Sequence, residues 1–344
     1  MGEDTKLKRN SSSDLLRIIC IILIIAFHFS VHGEWSCTNE SLTFNIYLLR
    51  FLSIWGRIAC DVFILISGYY MVDRKVNWKR IGSVVFTLCF YTWIFALLFF
   101  MTGQVRFDHD DIRRLAFPVY YGNWFCVTYL KLILLVPIIN LGLKRLKKWQ
   151  YSVLIFVMLI YWSVIPTFIY NTPFSDKPVC AFVAMYLFGG YCKRYSKKSV
   201  IWNWICPLSL VMVTVLVLFD DFTNPGEVSR FVELNQLPAV IVAVSSFMLF
   251  NQRDFYNRNI SKLAGLGLGI YLIHDNEFVQ QLIWNELSPN GNYLNSYFLI
   301  FHMIIKVSIV FVLCGIIEWG RIMCTGTIMS ELRNKYNRIR NKQS

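Results

Sequence analysis

The 344-residue sequence is poor in charge and has no recognisable metal-binding cysteine pattern. Charged side chains make up 16% of it, against about a quarter in soluble domains, and 56% of residues are hydrophobic. The ten cysteines form no CxxC pair and no Cys/His cluster with zinc-ligand spacing. These features argue against a cytosolic enzyme, a disordered chain and a nucleic-acid-binding domain, and we expect free thiols within apolar helices.

Long apolar runs occupy most of the chain and predict an all-α, polytopic membrane protein. Ten segments have roughly spanning length: 15–32, 46–72, 81–102, 124–143, 151–170, 179–192, 200–219, 236–250, 263–284 and 297–323. The sixth and eighth are short enough to be tilted or partly re-entrant, and the second is long enough for its first part to lie in the interface. No tandem repeat or linker interrupts them, so we expect one membrane domain over residues 1–344.

Lysine and arginine are concentrated in alternate connecting segments. Of 34 such residues, 23 fall in six segments on one side, five on the other side, and six in or near the spans. The positive-inside rule makes the basic side cytoplasmic and places both termini there. The net charge of +13 is therefore mostly a topology signal, with +17 inside, −8 outside and +4 in the spans. The first apolar run lacks a small-x-small cleavage site, so we expect it to be a retained helix.

Two ionisable residues share one face of the first predicted helix. Arg17 and His28 are eleven residues apart, which is close to three turns and about 16 Å along the axis. Arg17 would lie near the cytoplasmic end and His28 beyond the midplane, so a cation and a deeper base would line one groove. Considered alone, Arg17 fits a snorkelling anchor and His28 a hydrogen-bonded packing residue equally well.

The second segment carries a further pair of charges. Arg57 and Asp61 are four residues apart, so we expect an ion pair on one helix face. Ser67 and Gly68 follow on the inner half, where small residues most often indicate close helix packing. Further polar residues lie within the apolar segments and receive no role from the sequence: Lys131, His302, Lys306 and Glu318.

Aromatic and histidine side chains complete the set of candidate site residues. Tyr271 and His274 lie one turn apart in the outer part of the ninth segment. Trp124 and Tyr129 open the fourth segment, where interfacial aromatic residues usually anchor a helix. The Gly-x-Gly-x-Gly run at 265–269 has no preceding strand, which favours helix packing or a flexible entry over nucleotide binding.

The same residues resemble motifs of the acyltransferase-3 family of integral membrane O-acyltransferases. The resembling elements, in chain order, are Arg17-x10-His28, Asp61-Val-Phe-Ile-Leu-Ile-Ser-Gly68, Trp124-Phe125 with Tyr129 and Pro137, Gly189-Gly190-Tyr191, and Gly269-Ile-Tyr-Leu-Ile-His274. Ile64 departs from the family's pattern, which has a second Phe at that position. We expect no hydrolase-like domain after the last span, so the membrane unit would deliver the acyl group itself or with a separate partner.

The resemblance implies a bacterial plasma-membrane enzyme that transfers an acetyl or similar acyl group from cytoplasmic acetyl-CoA, without a metal. The acceptor would be a hydroxyl of an envelope polysaccharide, a related glycan or a lipid-linked saccharide. We expect His28 to act as the base or transient acyl carrier. The remaining assignments are Asp61 and Arg57 as further catalytic residues; Arg17, Ser67 and Gly68 for the donor; and Trp124, Tyr129, Tyr271 and His274 for the substrate.

Two other function classes remain open at this point. A transporter or flippase for an anionic or sugar-lipid substrate would also place charges within spans, although no matched pair of interrupted segments indicates inverted repeats. A structural or sensory role as a membrane partner would not explain why several ionisable residues lie within the spans. The sequence leaves open the acceptor, the acyl length and the oligomeric state.

Overall fold

The computed structural model describes residues 10–35, 43–103, 107–169, 177–223, 229, 231 and 233–343, the last sixteen of these as backbone only. Regular structure in these ranges is entirely helical, and they contain no strand. Some residues used in the charge argument lie outside the described residues: Lys6, Lys8, Arg9, Arg106 and Arg230.

The helices follow one another with short connections. In chain order the α-helices are α1 (Ser11–Val31), α2 (Thr43–Ser53), α3 (Trp55–Met71), α4 (Trp78–Met101), α5 (His109–Ala116), α6 (Pro118–Tyr121), α7 (Trp124–Arg145), α8 (Lys148–Leu159), α9 (Ile165–Phe168), α10 (Pro178–Tyr195), α11 (Trp202–Thr223), α12 (Leu237–Asn251), α13 (Arg258–Ala264), α14 (Gly267–His274), α15 (Glu277–Gln281) and α16 (Leu299–Gln343). Two π-helical turns, Ile160–Val164 and Leu282–Glu286, and a 3₁₀ turn, Asn290–Tyr293, connect some of them.

Six helices in the described part of the chain are long and apolar enough to cross a membrane. They are α1, α4, α7, the continuous α8–α9 stretch, α11 and the first part of α16. The all-α membrane fold is thus confirmed, while the count of ten spans and their sidedness stay predictions. The other predicted segments are divided or short: the second is split between α2 and α3, the sixth and eighth form α10 and α12, and the ninth is broken into α13, α14 and α15.

The α1 helix is deeply buried and contacts α2, α3, α12, α13, α14 and α16. In the most apolar stretch of α1, 61% of residues are buried, compared with 22% in α4 and in α11. Its start is fixed to α13, because the Ser11 hydroxyl lies 3.2 Å from that of Ser261 and Ser261 donates to Asp14 at 2.7 Å. We call the end where α1 begins and α10 terminates the basic end, and the end that carries α5 and α15 the acidic end.

Close backbone contact joins α3 to α10. A Cβ atom at Gly68 would overlap the Tyr186 carbonyl oxygen, and one at Gly189 would overlap that of Leu65. Only glycine allows the two backbones to approach this closely. Gly68 is therefore a packing residue on the face that meets α10, and its role in donor binding stays a prediction.

Glu318 joins three helices near the glycine-rich break between α13 and α14. Its carboxylate accepts two hydrogen bonds from Arg321, each 2.7 Å long, and one of 2.7 Å from the Tyr91 hydroxyl. A Cβ at Gly269 would overlap the same carboxylate. Gly269 of the Gly-x-Gly-x-Gly run therefore serves helix packing, one of the two roles that the sequence favoured, and Glu318 fixes α14 against α4 and α16.

Lys306 holds the segment before α16 in place. Its ammonium group donates to the Ser288 carbonyl oxygen at 2.5 Å and to the Asn290 side-chain oxygen at 2.7 Å. The Asn290 amide in turn donates to the Phe29 carbonyl oxygen at 3.3 Å. Lys306 is 8% exposed, and its neutral oxygen partners satisfy the buried cation. The network attaches this segment to the last turns of α1, next to His28.

Candidate active site

His28 and Asp275 meet where α1 ends and α14 terminates. The Nε2 atom of His28 lies 3.3 Å from Oδ1 of Asp275. Each carboxylate oxygen also accepts a 2.7 Å hydrogen bond from an amide, Oδ1 from Gln280 and Oδ2 from Asn123. Nδ1 of His28 is buried without a hydrogen-bond partner among the described residues. An Nε2–H that donates to Asp275 leaves the Nδ1 lone pair open to accept a proton.

His274 lies beside this pair but has a different partner. The ring centres of His28 and His274 are 5.0 Å apart, and His274 Nδ1 is 2.6 Å from the Ile270 carbonyl oxygen. Because only a protonated nitrogen can bond to a carbonyl oxygen, Nδ1 carries the hydrogen and Nε2 carries the lone pair. His28 has the carboxylate that stabilises an imidazolium, so it is the better base of the two.

His32 extends the cluster to three potential metal ligands. One ligand atom each from His28, His32 and Asp275 lies within 4.8 Å of the others. Oδ1 of Asp275 accepts from Gln280 and faces His28, so both of its lone pairs are engaged. A metal bound between His28 Nε2 and this oxygen would have to replace the hydrogen bond that the two atoms share.

A cavity of about 310 Å³ extends from the basic end towards this cluster. Its wall changes from charged side chains at the mouth, through apolar ones, to a phenol and thiols at its deep end: Asp14, Arg17 and Arg80; Ile21, Ile24, Phe63, Ile64 and Leu268; Cys60, Cys126 and Tyr271. Ser67 and Tyr129 also line it. We call it the basic-end cavity.

Arg17 stands at the mouth of this cavity. Its guanidinium donates to Asp14 at 2.7 Å and lies 5.7 Å from the centre of the Tyr70 ring, with a quarter of the side chain exposed. A neighbouring pocket of about 490 Å³ is also lined by Arg17 and Arg80, and adds Arg74 and Lys193. Four cations therefore lie around the entrance together with three carboxylates, Asp14, Asp73 and Asp254, and the small positive excess suits a site that receives an anionic group.

A second cavity, also about 310 Å³, opens at the acidic end. Its described lining combines aromatic, amide and charged side chains: Tyr91, Tyr121 and Trp124; Asn123, Asn276 and Gln280; Asp111, Arg114, Asp275 and Glu277. We call it the acidic-end cavity. Most of its lining residues carry a hydrogen-bonding side chain.

The two cavities adjoin at one wall made by α7 and α14. Cys126 and Tyr271 face the basic-end cavity, whereas Asn123 and Asp275, about one turn away on the same two elements, face the acidic-end cavity. His28 contacts Asp275 at this wall. Groups entering from opposite ends of the bundle would thus approach the same imidazole–carboxylate pair.

Comparison with known protein families shows to which family a chain with this site belongs. The profile of the acyltransferase-3 family, described as an acyltransferase domain, matches residues 10–319. The chain belongs to the acyltransferase-3 family. Comparisons with curated proteins and with solved structures gave no match. With its spanning-length apolar helices, the protein is a membrane acyltransferase.

The predicted ion pair between Arg57 and Asp61 is wrong for this acyltransferase. Arg57 Nε lies 3.7 Å from a Glu233 carboxylate oxygen, and the guanidinium stacks 4.7 Å from the centre of a Trp124 ring. Both Asp61 carboxylate oxygens are buried without hydrogen-bond partners among the described residues. Asp61 shares the helix face of Gly68, seven residues on, which packs against α10. Asp275, rather than Asp61, is the carboxylate beside His28.

The structure divides the other predicted site residues between the two cavities. Arg17, Ser67, Tyr129 and Tyr271 line the basic-end cavity, and Trp124 lines the acidic-end cavity. His274 lies next to His28. The sequence reasoning gave no role to Asp275 or Asn123. The available signal for Asp275 was an acid immediately after His274, within a segment otherwise expected to span the membrane.

Proposed function

We propose that this membrane acyltransferase moves an acetyl or similar short acyl group from a CoA thioester to a hydroxyl of an envelope glycan. The donor enters at the basic end, taken as cytoplasmic, and the acceptor at the acidic end. The observation that carries the proposal is the pair of cavities that reach from opposite ends to the wall holding His28 and Asp275. Substrates in the two cavities would meet without either one crossing the whole protein.

The basic-end cavity suits the donor in charge and in shape. The CoA phosphates would lie among Arg17, Arg80, Arg74 and Lys193, which surround the entrance. The long thioester arm would follow the apolar stretch of the wall to its deep end near Tyr271. The Asp14 partner holds the Arg17 guanidinium in place, so the cation is oriented before the donor arrives.

The proposed chemistry needs one proton acceptor at the wall between the cavities. Nδ1 of His28 takes the proton from the acceptor hydroxyl while its oxygen attacks the thioester carbonyl carbon. The C–O bond forms, the C–S bond breaks, and the CoA thiolate leaves and receives the proton from the imidazolium. Asp275 stabilises the imidazolium during transfer, as a carboxylate does behind a catalytic histidine.

The alternative of a transporter or flippase predicts a different outcome from the same cavities. A carrier would move one substrate from end to end and would form no ester. Among the described residues, the two cavities have no lining residue in common, and Asp275, which contacts His28, lines the acidic-end cavity next to the basic-end residues Cys126 and Tyr271. This separation favours transfer of a small group over passage of a whole saccharide.

The proposal is tested with purified protein in detergent, acetyl-CoA labelled in its acetyl group, and envelope glycan as acceptor. We expect labelled ester on the glycan and free CoA in equal amounts. His28→Ala should reduce the rate by about 10²–10⁴-fold, the usual contribution of a positioned base. His109→Ala, at an exposed histidine on α5, is the matched control and should keep full activity. Full activity in His28→Ala would remove the proposed base.

A further inference from the structure

The acidic-end cavity carries more negative than positive groups. Of the described residues that line it, three are carboxylates, Asp111, Asp275 and Glu277, and one is a cation, Arg114. The side chain of Asp111 is 15% exposed and that of Asp275 is 10% exposed, so both act from partly desolvated positions. Charges in such positions interact more strongly with a ligand than fully hydrated ones do.

Arg114, the one cation among the described residues that line this cavity, is already paired, and Arg57, which stacks on the lining residue Trp124, lies next to Glu233. Arg114 Nη1 pairs with Glu277, and it lies 3.8 Å from Asp111 Oδ1. The hydrogen bond to Glu277 raises the pKa of Arg114, so the guanidinium stays charged and paired. The pair connects α5 to α15 across the cavity. An anionic ligand would have to displace a carboxylate to reach this guanidinium.

The ends of this connection are fixed by local structure. Asp108 accepts hydrogen bonds from the backbone N–H groups of Asp110 and Asp111, each 2.8 Å long, and so caps the start of α5. At the other side, the Asn276 side chain accepts from the Phe278 backbone N–H at 3.2 Å and caps α15. The Arg114–Glu277 pair thus joins two short capped helices rather than two loose loops.

The rest of the lining fits an uncharged polyol. Tyr121 and Trp124 present exposed aromatic surface in the cavity, with 47% and 36% of their surfaces exposed. Flat aromatic faces with polar edges contact the apolar faces of sugar rings while leaving the hydroxyls free. Carboxylate and amide oxygens accept hydrogen bonds from those hydroxyls. An acidic substituent on the sugar would instead face like charges.

We infer that the acidic-end cavity selects an uncharged hydroxyl acceptor over an anionic one, with Glu277 and Asp111 as the specificity-determining residues. The inference rests on the proposed function, since it assigns the acceptor to this cavity. Its physical basis is that like charges facing each other at close range are strongly disfavoured. Loss of the Glu277 charge would remove one repulsive group and release the Arg114 guanidinium for an anionic acceptor.

The test compares two acceptors that carry the same hydroxyls and differ in charge. An oligosaccharide that contains a uronate and its neutral uronamide derivative are offered to the purified protein with labelled acetyl-CoA. The unmodified protein should favour the neutral acceptor by about tenfold or more in kcat/KM. Glu277→Gln should reduce that preference by about tenfold, mainly through a lower KM for the uronate. High salt should also reduce the preference, because it screens exposed charges.

Glu286→Gln is the matched control for the variant. Glu286 is exposed, lies in the π-helical turn after α15 and does not line the cavity, so this change removes the same charge nearby and should leave the preference unchanged. If Glu277→Gln fails to fold, Asp111→Asn tests the same repulsion from α5. Equal use of both acceptors by the unmodified protein would overturn the inference while leaving the proposed function intact. Absence of transfer to either acceptor would instead count against the proposed function.

Discussion

The basic-end and acidic-end cavities have the same volume, about 310 Å³, but different side chains in their walls. The first has cations at its entrance and an apolar wall behind them, and the second is lined by amides and carboxylates with one paired arginine. Cavity volume therefore does not indicate which substrate each cavity binds. The lining residues do, because the basic-end lining suits a long anionic thioester and the acidic-end lining suits a compact polyol. Substitutions at the wall and in each cavity test this division.

Substitutions in the wall between the cavities should have the largest effect on kcat. We expect Asp275→Asn to lower kcat by about 10²–10⁴-fold with either substrate saturating, because an amide cannot stabilise the His28 imidazolium. Asp61→Asn should lower kcat far less, since Asp61 makes no hydrogen bond to His28. Steady-state kinetics over a range of pH measures both, and the profile should shift in the Asp275 variant. A larger loss in Asp61→Asn would return the supporting role to Asp61.

Substitution of Arg17 should change KM for the donor alone. Arg17→Ala removes a charged contact of about 1.5–3 kcal/mol, so KM for acetyl-CoA should rise about 10–100-fold while KM for the acceptor stays the same. Arg17→Lys should retain part of the affinity, because it keeps the charge but loses the planar fork. Arg145→Ala, at an exposed position on the same end, is the control. An unchanged donor KM in Arg17→Ala would mean that Arg17 only anchors α1.

Substitution of Trp124 should change KM for the acceptor alone. Trp124→Ala is expected to raise acceptor KM by about tenfold, in line with the loss of an aromatic contact and its buried area. The donor KM should stay constant, which is the mirror image of the Arg17 result. Trp149→Ala, at an exposed position on α8, gives the matched control. If Trp124→Ala raised the donor KM instead, the assignment of the two cavities would be reversed.

The smallest effect should follow from metal removal. Because Asp275 accepts amide hydrogen bonds on both oxygens, we expect EDTA treatment to leave the transfer rate unchanged. His32→Ala should likewise keep most of the activity, in contrast to His28→Ala. Activity lost to EDTA and restored by a divalent cation, with His32→Ala as inactive as His28→Ala, would replace the imidazole–carboxylate pair by a metal centre.

The sequence predicted the elements that carry a strong local signal. The apolar run at 15–32 corresponds to α1, and the spacing of Arg17 and His28 correctly placed a cation at one end of it and an imidazole near the other. The interrupted helices were harder to predict. The ninth segment reads as one apolar run, yet it breaks near Gly265 and again at Asp275, because packing against Glu318 and the pairing of Asp275 override the hydropathy pattern.

Asp275, the carboxylate that supports His28, could not be predicted from the sequence for a different reason. The four-residue spacing of Arg57 and Asp61 predicts a local pair, but tertiary contacts determine which partner each charge meets. Glu233 and Trp124 engage Arg57, and both come from other parts of the chain. Likewise the contact of His28 with Asp275 joins residues 247 positions apart. Spacing within one helix carries no information about such contacts.

The central claim is that donor and acceptor approach the His28–Asp275 pair from opposite ends of the bundle. It is tested most directly in sealed proteoliposomes of known protein orientation, with labelled acetyl-CoA on one side and a membrane-impermeant neutral oligosaccharide on the other. We predict that ester forms on the oligosaccharide only when acetyl-CoA faces the basic end and the oligosaccharide faces the acidic end. Ester that forms only when both substrates are on the same side would contradict the account.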